Sequence, residues 1–179
     1  NCGFELYEEL EDEMEVGGTY HQIGLNHFFR GDLDRACKYF ILSLEILEKV
    51  DTFNWYIFCP MHDLGLYNYN KGNYDLAIEY LEKSVSIQRK IVFKGEGFLL
   101  WTTTFLFLSY KKINKNYDIT LIRNLIEETI YIEDFCYYAL YHLLEDTSYL
   151  ETAYNQVQEK ADNLEDAAKF LSYPIPKAI

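Results

Sequence analysis

His21 and His62 are the residues whose type and spacing first suggest chemistry, since they lie 41 positions apart in the sequence. If the fold brings them together, their imidazole groups could bind a carboxylate of a ligand or hold a metal ion. A metal site needs a third protein ligand, and none is apparent in the sequence. The alternative is that both histidines are polar residues that line a groove without a dedicated role. The sequence leaves both interpretations open.

No pattern typical of a catalytic centre accompanies the two histidines. The sequence contains no H-E-x-x-H motif, no paired-carboxylate motif and no nucleophile placed beside a base. The cysteines show no C-x-x-C spacing, which predicts reduced, buried thiols in an intracellular protein. They are Cys2, Cys37, Cys59 and Cys136. We therefore expect a protein without enzymatic activity, catalytic residues, a metal or a cofactor.

The chain is acidic, with 29 Asp and Glu residues against 16 Lys and Arg residues and a net charge of −13. Seven of the carboxylates fall within residues 1–16, a segment that we predict to be helical. This segment is either a solvated helix face or linker, or a surface that recruits a basic partner. An acidic surface repels phosphate groups, which argues against nucleic acid and membranes and favours a peptide or protein of basic character. No apolar run reaches the ~18 residues of a membrane span, and the expected location is cytoplasmic.

An internal repeat indicates which elements position these residues. When the chain is aligned with itself so that His21 falls on His62, residues 20–50 match residues 61–91 with ten identities over 31 positions. A repeat of this length is typical of proteins that stack one supersecondary unit on the next. The chain has only 9 Gly and 3 Pro, and this shortage of turn-forming residues indicates that the unit consists of long helices.

Small residues recur inside the repeat and predict a tightly packed helical hairpin. Gly24 and Gly65 lie within the first helix of each unit, where glycine costs ~1 kcal/mol relative to alanine. Their presence therefore indicates that a partner helix approaches too closely to leave room for a side chain. We expect the second helices to place Ala36 and Ala77 opposite these glycines.

The same repeat carries signals for where the helices begin and end. Gly31 and Gly72 are expected to follow the first helices as C′ residues. Asp32 and Asn73, which come directly after them, are expected to be the N-caps of the second helices. A T-x-x-Q capping box starting at Thr19 predicts that the first helix of the first unit opens there.

The repeated pattern of two glycines, an alanine and a large apolar residue resembles the tetratricopeptide repeat. It is carried by Gly24, Gly31, Ala36 and Phe40, and again by Gly65, Gly72, Ala77 and Leu81. The usual repeat is shorter, at about 34 residues, and the longer spacing found here is similar to the repeats of kinesin light chains and of bacterial signalling regulators. The resemblance implies an all-α fold, a right-handed superhelical solenoid of stacked antiparallel helical hairpins.

This solenoid is expected over residues 17–179, after the acidic segment 1–16. The predicted repeats cover residues 19–50 and 60–92, a degenerate copy at 98–132, a fourth at 133–161 and a capping segment at 163–179. In the second half, the second helix of the third repeat is predicted over 119–132. Ser148 is predicted to open the next helix in an S-x-x-E capping box, and Asn163 to cap a short last helix.

The resemblance implies a scaffold for protein–protein interaction, whose first helices line a groove that binds a peptide or partner protein. The residues expected to line it are His21, Leu25, Phe28, Phe29, His62, Leu66, Tyr69 and Asn70. The alternative for each is that it packs against a neighbouring helix and does not contact a ligand. Because the chain starts with Asn1 and ends abruptly at Ile179, a second hypothesis makes it the regulatory arm of a larger signalling enzyme, with the catalytic domain elsewhere in the polypeptide.

Overall fold

The computed structural model describes residues 2–50, 55–90 and 97–179; for the first helix, side chains are described from residue 13 onward. These residues contain ten α-helices and no strand, which confirms the predicted all-α fold class. The chain divides into two compact units, Asn1–Ile91 and Val92–Ile179, and each is described separately below.

The first unit consists of two antiparallel helical hairpins. Its helices are α1 (Cys2–Phe29), α2 (Leu33–Leu47), α3 (Phe58–Lys71) and α4 (Tyr74–Gln88), with a short 3-10 turn at Trp55–Ile57 before α3. Helix α1 packs along α2, α3 packs along α4, and α2 contacts α3. The core is mainly apolar and includes the fully buried side chains of Phe40, Leu64 and Leu81.

In each hairpin, a glycine within the first helix faces a large side chain of the second helix. An added Cβ at Gly24 would lie 2.6 Å from two ring carbons of Phe40, and one at Gly65 would lie 2.5 Å from Cγ of Leu81. The close approach that the sequence predicted is therefore present. The side chains nearest to the glycines, however, are not Ala36 and Ala77, because these alanines lie one helical turn earlier on the second helices. Both alanines are fully buried.

The turns inside the hairpins follow the predicted chemistry. Gly31 and Gly72 have positive φ angles of 82° and 81°, a conformation that side chains other than glycine adopt at a cost. The amide of Asp32 donates to the carbonyl of His27, which satisfies one of the last carbonyls of α1. Asp32 then caps α2 by accepting from the amide of Arg35. Asn73 occupies the N-cap position of α4 but makes no side-chain cap bond.

Polar contacts join α2 of the first hairpin to α3 of the second. The Tyr67 hydroxyl donates to Oδ1 of Asp34 over 3.2 Å, and Nζ of Lys71 lies 2.8 Å from the same oxygen. Lys71 lowers the pKa of the Asp34 carboxyl below its usual value by hydrogen bonding and by its charge. These groups are solvent-exposed, so they set the register of the two helices more than they add stability.

The described residues of the second unit, 97–179, form six helices. They are α5 (Phe98–Lys112), α6 (Ile119–Glu128), α7 (Asp134–Leu144), α8 (Thr147–Asp162), α9 (Ala167–Leu171) and α10 (Pro174–Ala178). Helix α5 packs on α6 and α7, and α7 packs along α8. The core of this unit includes Leu100, Ile122, Leu140 and Val157.

Three predicted helix boundaries differ from the structure. The capping box at Thr19 is wrong, because α1 runs without a break from Cys2 to Phe29. Helix α6 ends at Glu128 instead of reaching Ile132, because the backbone becomes extended at Thr129, whose amide and hydroxyl both donate to the Leu125 carbonyl. The N-cap of α8 is Asp146, which accepts from the amide and hydroxyl of Ser148.

The short helix near the C-terminus also differs from the prediction. Asn163 does not cap it and instead follows α8 as its C-cap. Asp166 is the N-cap of α9, with its carboxylate accepting from the amide of Lys169.

Candidate interaction surface

The first helices of the two hairpins, α1 and α3, are joined by a buried hydrogen bond. Nε2 of His21 lies 2.6 Å from Oδ2 of Asp63. The side chains of His21 and Asp63 are 11% and 2% exposed, so water competes little for this contact. A buried hydrogen bond to a carboxylate is short and stronger than one between neutral groups. The bond therefore links α1 to α3, whereas most of the packing between the two hairpins is made by α2 against α3.

His62 lies next to this bond but is completely buried. Burial lowers its pKa from 6.5 to about 4; the carboxylate of Asp63 opposes this effect and His21 adds to it. His62 is therefore neutral near pH 7. Burial also raises the pKa of the Cys59 thiol to about 12, with a further contribution from Asp63. The groups around Asp63 thus form a polar part of the core.

The eight residues expected to line a groove fall into two sets. His21, Phe28, His62 and Leu66 are buried, whereas Leu25, Phe29, Tyr69 and Asn70 remain accessible to solvent. His62 and Leu66 are 0% and 2% exposed. They therefore pack inside the protein, which is the alternative that the sequence analysis left open for each groove residue. The accessible set contains one apolar side chain, two aromatic ones and one amide.

The accessible side chains are held by contacts with their neighbours. The ring of Phe29, which is 40% exposed, meets the ring of buried Phe28 edge to face at 5.8 Å between centroids. Tyr69 makes a similar contact with Tyr74 at 5.7 Å. The amide of Asn70 donates to the Leu66 carbonyl over 2.8 Å, which orients its oxygen. These side chains are therefore oriented before any partner binds.

Sequence reasoning missed Asp63, although it is the residue that joins the first helices. It aligns with Gln22 in the register of the internal repeat, so it is not part of the repeated pattern that drew attention to the histidines. The local signal was a carboxylate directly after a histidine, with apolar residues on both sides of the pair.

The described residues offer neither a metal site nor a membrane-spanning helix. Among the described residues, no group of three or more His, Cys, Asp or Glu side chains is placed to hold a metal ion. None of the described helices combines the length and hydropathy that would allow it to cross a membrane. Side chains of the acidic segment before residue 13 lie outside the described set, so the suggestion that they recruit a partner stays a prediction.

Antiparallel helical hairpins that repeat in register define the class of helical-repeat proteins. Within that class, residues 15–90 match the family model described as tetratricopeptide repeat. This region of the chain therefore consists of tetratricopeptide repeats, as the sequence resemblance predicted. Such repeats generally mediate protein–protein interaction and typically form a non-catalytic scaffold. No curated protein and no solved structure matches the chain significantly.

Proposed function

We propose that the region 15–90 binds a peptide segment of a partner protein along the face formed by α1 and α3. The observation that carries this proposal is the 2.6 Å hydrogen bond between His21 and Asp63, which links these two helices. Equivalent positions of the two repeats then follow one another along one surface, so an extended peptide can meet both.

The contacts that we propose are the four accessible residues of the predicted groove: Leu25, Phe29, Tyr69 and Asn70. Aromatic side chains bury a large area with few rotatable bonds, which suits them to anchor a partner. The amide of Asn70 supplies a hydrogen-bonding group to a peptide backbone. The four buried residues of the original set support this surface from below.

Charge supports a basic partner. Residues 1–91 contain 16 Asp and Glu side chains and eight Lys and Arg side chains. A peptide with Lys or Arg beside its apolar residues would be attracted to this region, and salt would weaken the attraction because the screening length is ~10 Å at 0.1 M.

The test is a selection of binding peptides from a random library displayed on phage, with the full chain as bait. The affinity of the selected peptides is then measured by fluorescence anisotropy. We expect Phe29→Ala together with Asn70→Ala to weaken binding about tenfold, since one or two interface anchors carry that much energy.

Ile41→Ala is the matched control, because Ile41 on α2 is 41% exposed and Phe29 is 40% exposed. It should leave the affinity unchanged. If the control weakens binding as much as the double variant, or if only the control does, the interaction surface lies on the second helices and the proposal is wrong.

A further inference from the structure

An ordered loop in the second unit, outside the tetratricopeptide-repeat match, follows the early end of α6. At Thr129 the backbone becomes extended, and the Thr129 hydroxyl donates to the Leu125 carbonyl over 2.6 Å. The backbone bends at Ile130 and is extended again at Glu133, the N-cap of α7. Residues 129–133, which we call the α6–α7 loop, replace a further helical turn that the sequence predicted.

Several contacts hold the α6–α7 loop in place. Ile132 is buried at 6% exposure, and Nε2 of Gln156 on α8 donates to its carbonyl over 3.0 Å. Nζ of Lys160, also on α8, lies 2.7 Å from Glu133 and 3.0 Å from Asp134. The loop is therefore anchored from its second half and does not rely on its exposed residues for its position.

The first half of the same loop presents two large apolar side chains to solvent. Ile130 is 88% exposed and Tyr131 is 55% exposed. Exposed apolar side chains are common one at a time, but neighbouring ones on an anchored loop are typical of interaction sites. Neither side chain belongs to the described buried core of the second unit.

Beside these two side chains lies a cavity of about 600 Å³ with aromatic walls. The ring of Trp101 stands 4.3 Å from that of Phe135 and 5.6 Å from that of Phe98, centroid to centroid. A Cβ added at Gly97 would lie 3.0 Å from the Tyr131 carbonyl oxygen, so this glycine lets the start of α5 approach the loop. A cavity of this size with apolar walls is within the usual range for the binding of a large side chain or a small ligand.

Charges around the cavity are mainly negative. Glu133 belongs to its wall, and Glu127 and Glu128 are exposed on the last turn of α6 next to the loop. Lys160 is the one cation recorded here among the described residues, and it is engaged by Glu133 and Asp134. Among the described residues of the cavity wall there is no Lys or Arg. A ligand with positive charges beside its apolar group would therefore be favoured over an acidic one.

We propose that this cavity and the exposed half of the α6–α7 loop form a second interaction site, which binds a large apolar side chain of a partner peptide flanked by Lys or Arg. Ile130 and Tyr131 cover the apolar side chain from outside, and the rings of Trp101 and Phe135 contact it from inside. The carboxylates of Glu127 and Glu128 attract the flanking cations. The site is independent of the face formed by α1 and α3.

The experiment uses the full chain and short fluorescein-labelled peptides, each with one central Phe and several lysines on both sides of it. We expect Ile130→Ser together with Tyr131→Ser to weaken binding about tenfold or more. Leu164→Ser, at a side chain of the same unit that is 48% exposed, is the matched control and should bind as the unmodified chain does. Glu127→Gln with Glu128→Gln should weaken binding several-fold and reduce its dependence on salt.

Two altered peptides separate the two parts of the recognition. Replacing the central Phe by Ser should weaken binding about tenfold, and replacing the lysines by Glu should abolish it. A Ser-centred peptide that binds equally well would show attraction by charge alone and overturn the proposal. So would an equal loss in Leu164→Ser or equal binding by the Ile130→Ser, Tyr131→Ser variant.

The remaining outcomes assign other occupants or another site. If Phe29→Ala removes the binding and the loop variant does not, the peptide occupies the face of α1 and α3. If the unmodified chain binds no peptide but dimerises in analytical ultracentrifugation, and the loop variant is monomeric, the occupant is a second copy of the chain. Binding to neutral phosphatidylcholine vesicles in place of peptides would make the loop a lipid contact. Each of these results contradicts the proposal.

Discussion

Replacing Gly65 by alanine tests the packing on which each hairpin depends. The new Cβ would lie 2.5 Å from Cγ and 2.6 Å from Cδ2 of Leu81, whereas carbon atoms in contact prefer about 3.5–4.0 Å. One of the helices or the Leu81 side chain must therefore move by about 1 Å. Leu81 is fully buried, so its neighbours resist that movement.

The magnitude follows from two opposing effects. Alanine is favoured over glycine inside a helix by up to ~1 kcal/mol, while overpacking a well-packed core costs about 1–3 kcal/mol. We expect Gly65→Ala to lower the free energy of unfolding by about 1–2 kcal/mol as their net effect. Gly18→Ala is the matched control, because Gly18 lies inside α1 with no other atom within 4 Å of its added Cβ. It should stabilise the protein by up to ~1 kcal/mol.

Urea unfolding followed by circular dichroism gives the free energies, and hydrogen exchange of amides in residues 58–71 reports α3 itself. Leu81→Ala alone should cost about 2–5 kcal/mol. Combined with Gly65→Ala it should cost less than the sum of the two changes, since the new methyl group fills part of the space left by leucine. If Gly65→Ala stabilises the protein as much as Gly18→Ala does, the packing argument is wrong.

Three further predictions concern other parts of the structure. Gly72→Ala should cost about 1–2 kcal/mol in urea unfolding, because its φ of 81° strains any side chain; Gly72→Asn should cost less, and equal costs would contradict this explanation. The pKa of His62 is lowered to about 4 in the folded protein, so on acidification the unfolded chain binds a proton at this histidine at a higher pH than the folded chain does. The free energy of unfolding should therefore fall by roughly 3 kcal/mol as the pH drops from 6.5 to 4. An NMR titration showing His62 protonated at pH 6 would refute this. Burial raises the pKa of the Cys59 and Cys136 thiols, so iodoacetamide at pH 8 should alkylate both far more slowly in the folded protein than in urea; mass spectrometry of tryptic peptides measures this, and equal rates would show that these thiols are accessible.

The architecture of the first unit was predictable because its signals are local and repeated. Glycine inside an amphipathic helix has few explanations besides close packing, and two copies in register at Gly24 and Gly65 excluded coincidence. In the same way, a glycine followed directly by Asp32 or Asn73, present in both copies of the repeat, predicted the turn within each hairpin. These features depend on backbone geometry, which neighbouring residues largely determine.

The errors came from choices that distant residues decide. Thr19 has the right neighbours for a cap, yet α1 continues through it, with Gly17 packed against Leu47. Helix α6 ends early at Thr129, and the loop after it is held by a distant residue, since Gln156 on α8 donates to the carbonyl of buried Ile132. Local sequence therefore suggested plausible boundaries that tertiary contacts changed.

The candidate site was predictable as a set of helix positions but not as a surface. The sequence placed Phe28 and Phe29 on one side of the first helix, but it could not tell which of them faces outward. Phe28 is 8% exposed, so Phe28→Ala should destabilise the protein by about 3–5 kcal/mol. A residue that lines a groove, as the sequence analysis expected of Phe28, would contribute little to stability, and its burial corrects that expectation.

The contact between a mid-helix glycine and the side chain facing it has a further consequence for how such a protein can evolve. Phe40 and Leu81 occupy equivalent positions in the two repeats but differ in size. Each therefore sets a different distance between the two helices of its hairpin. Exchanging one for the other would change the splay of the helices, and with it the curvature of the face that α1 and α3 form. A substitution in the core could thus change which peptides fit that face without changing any residue that contacts the peptide.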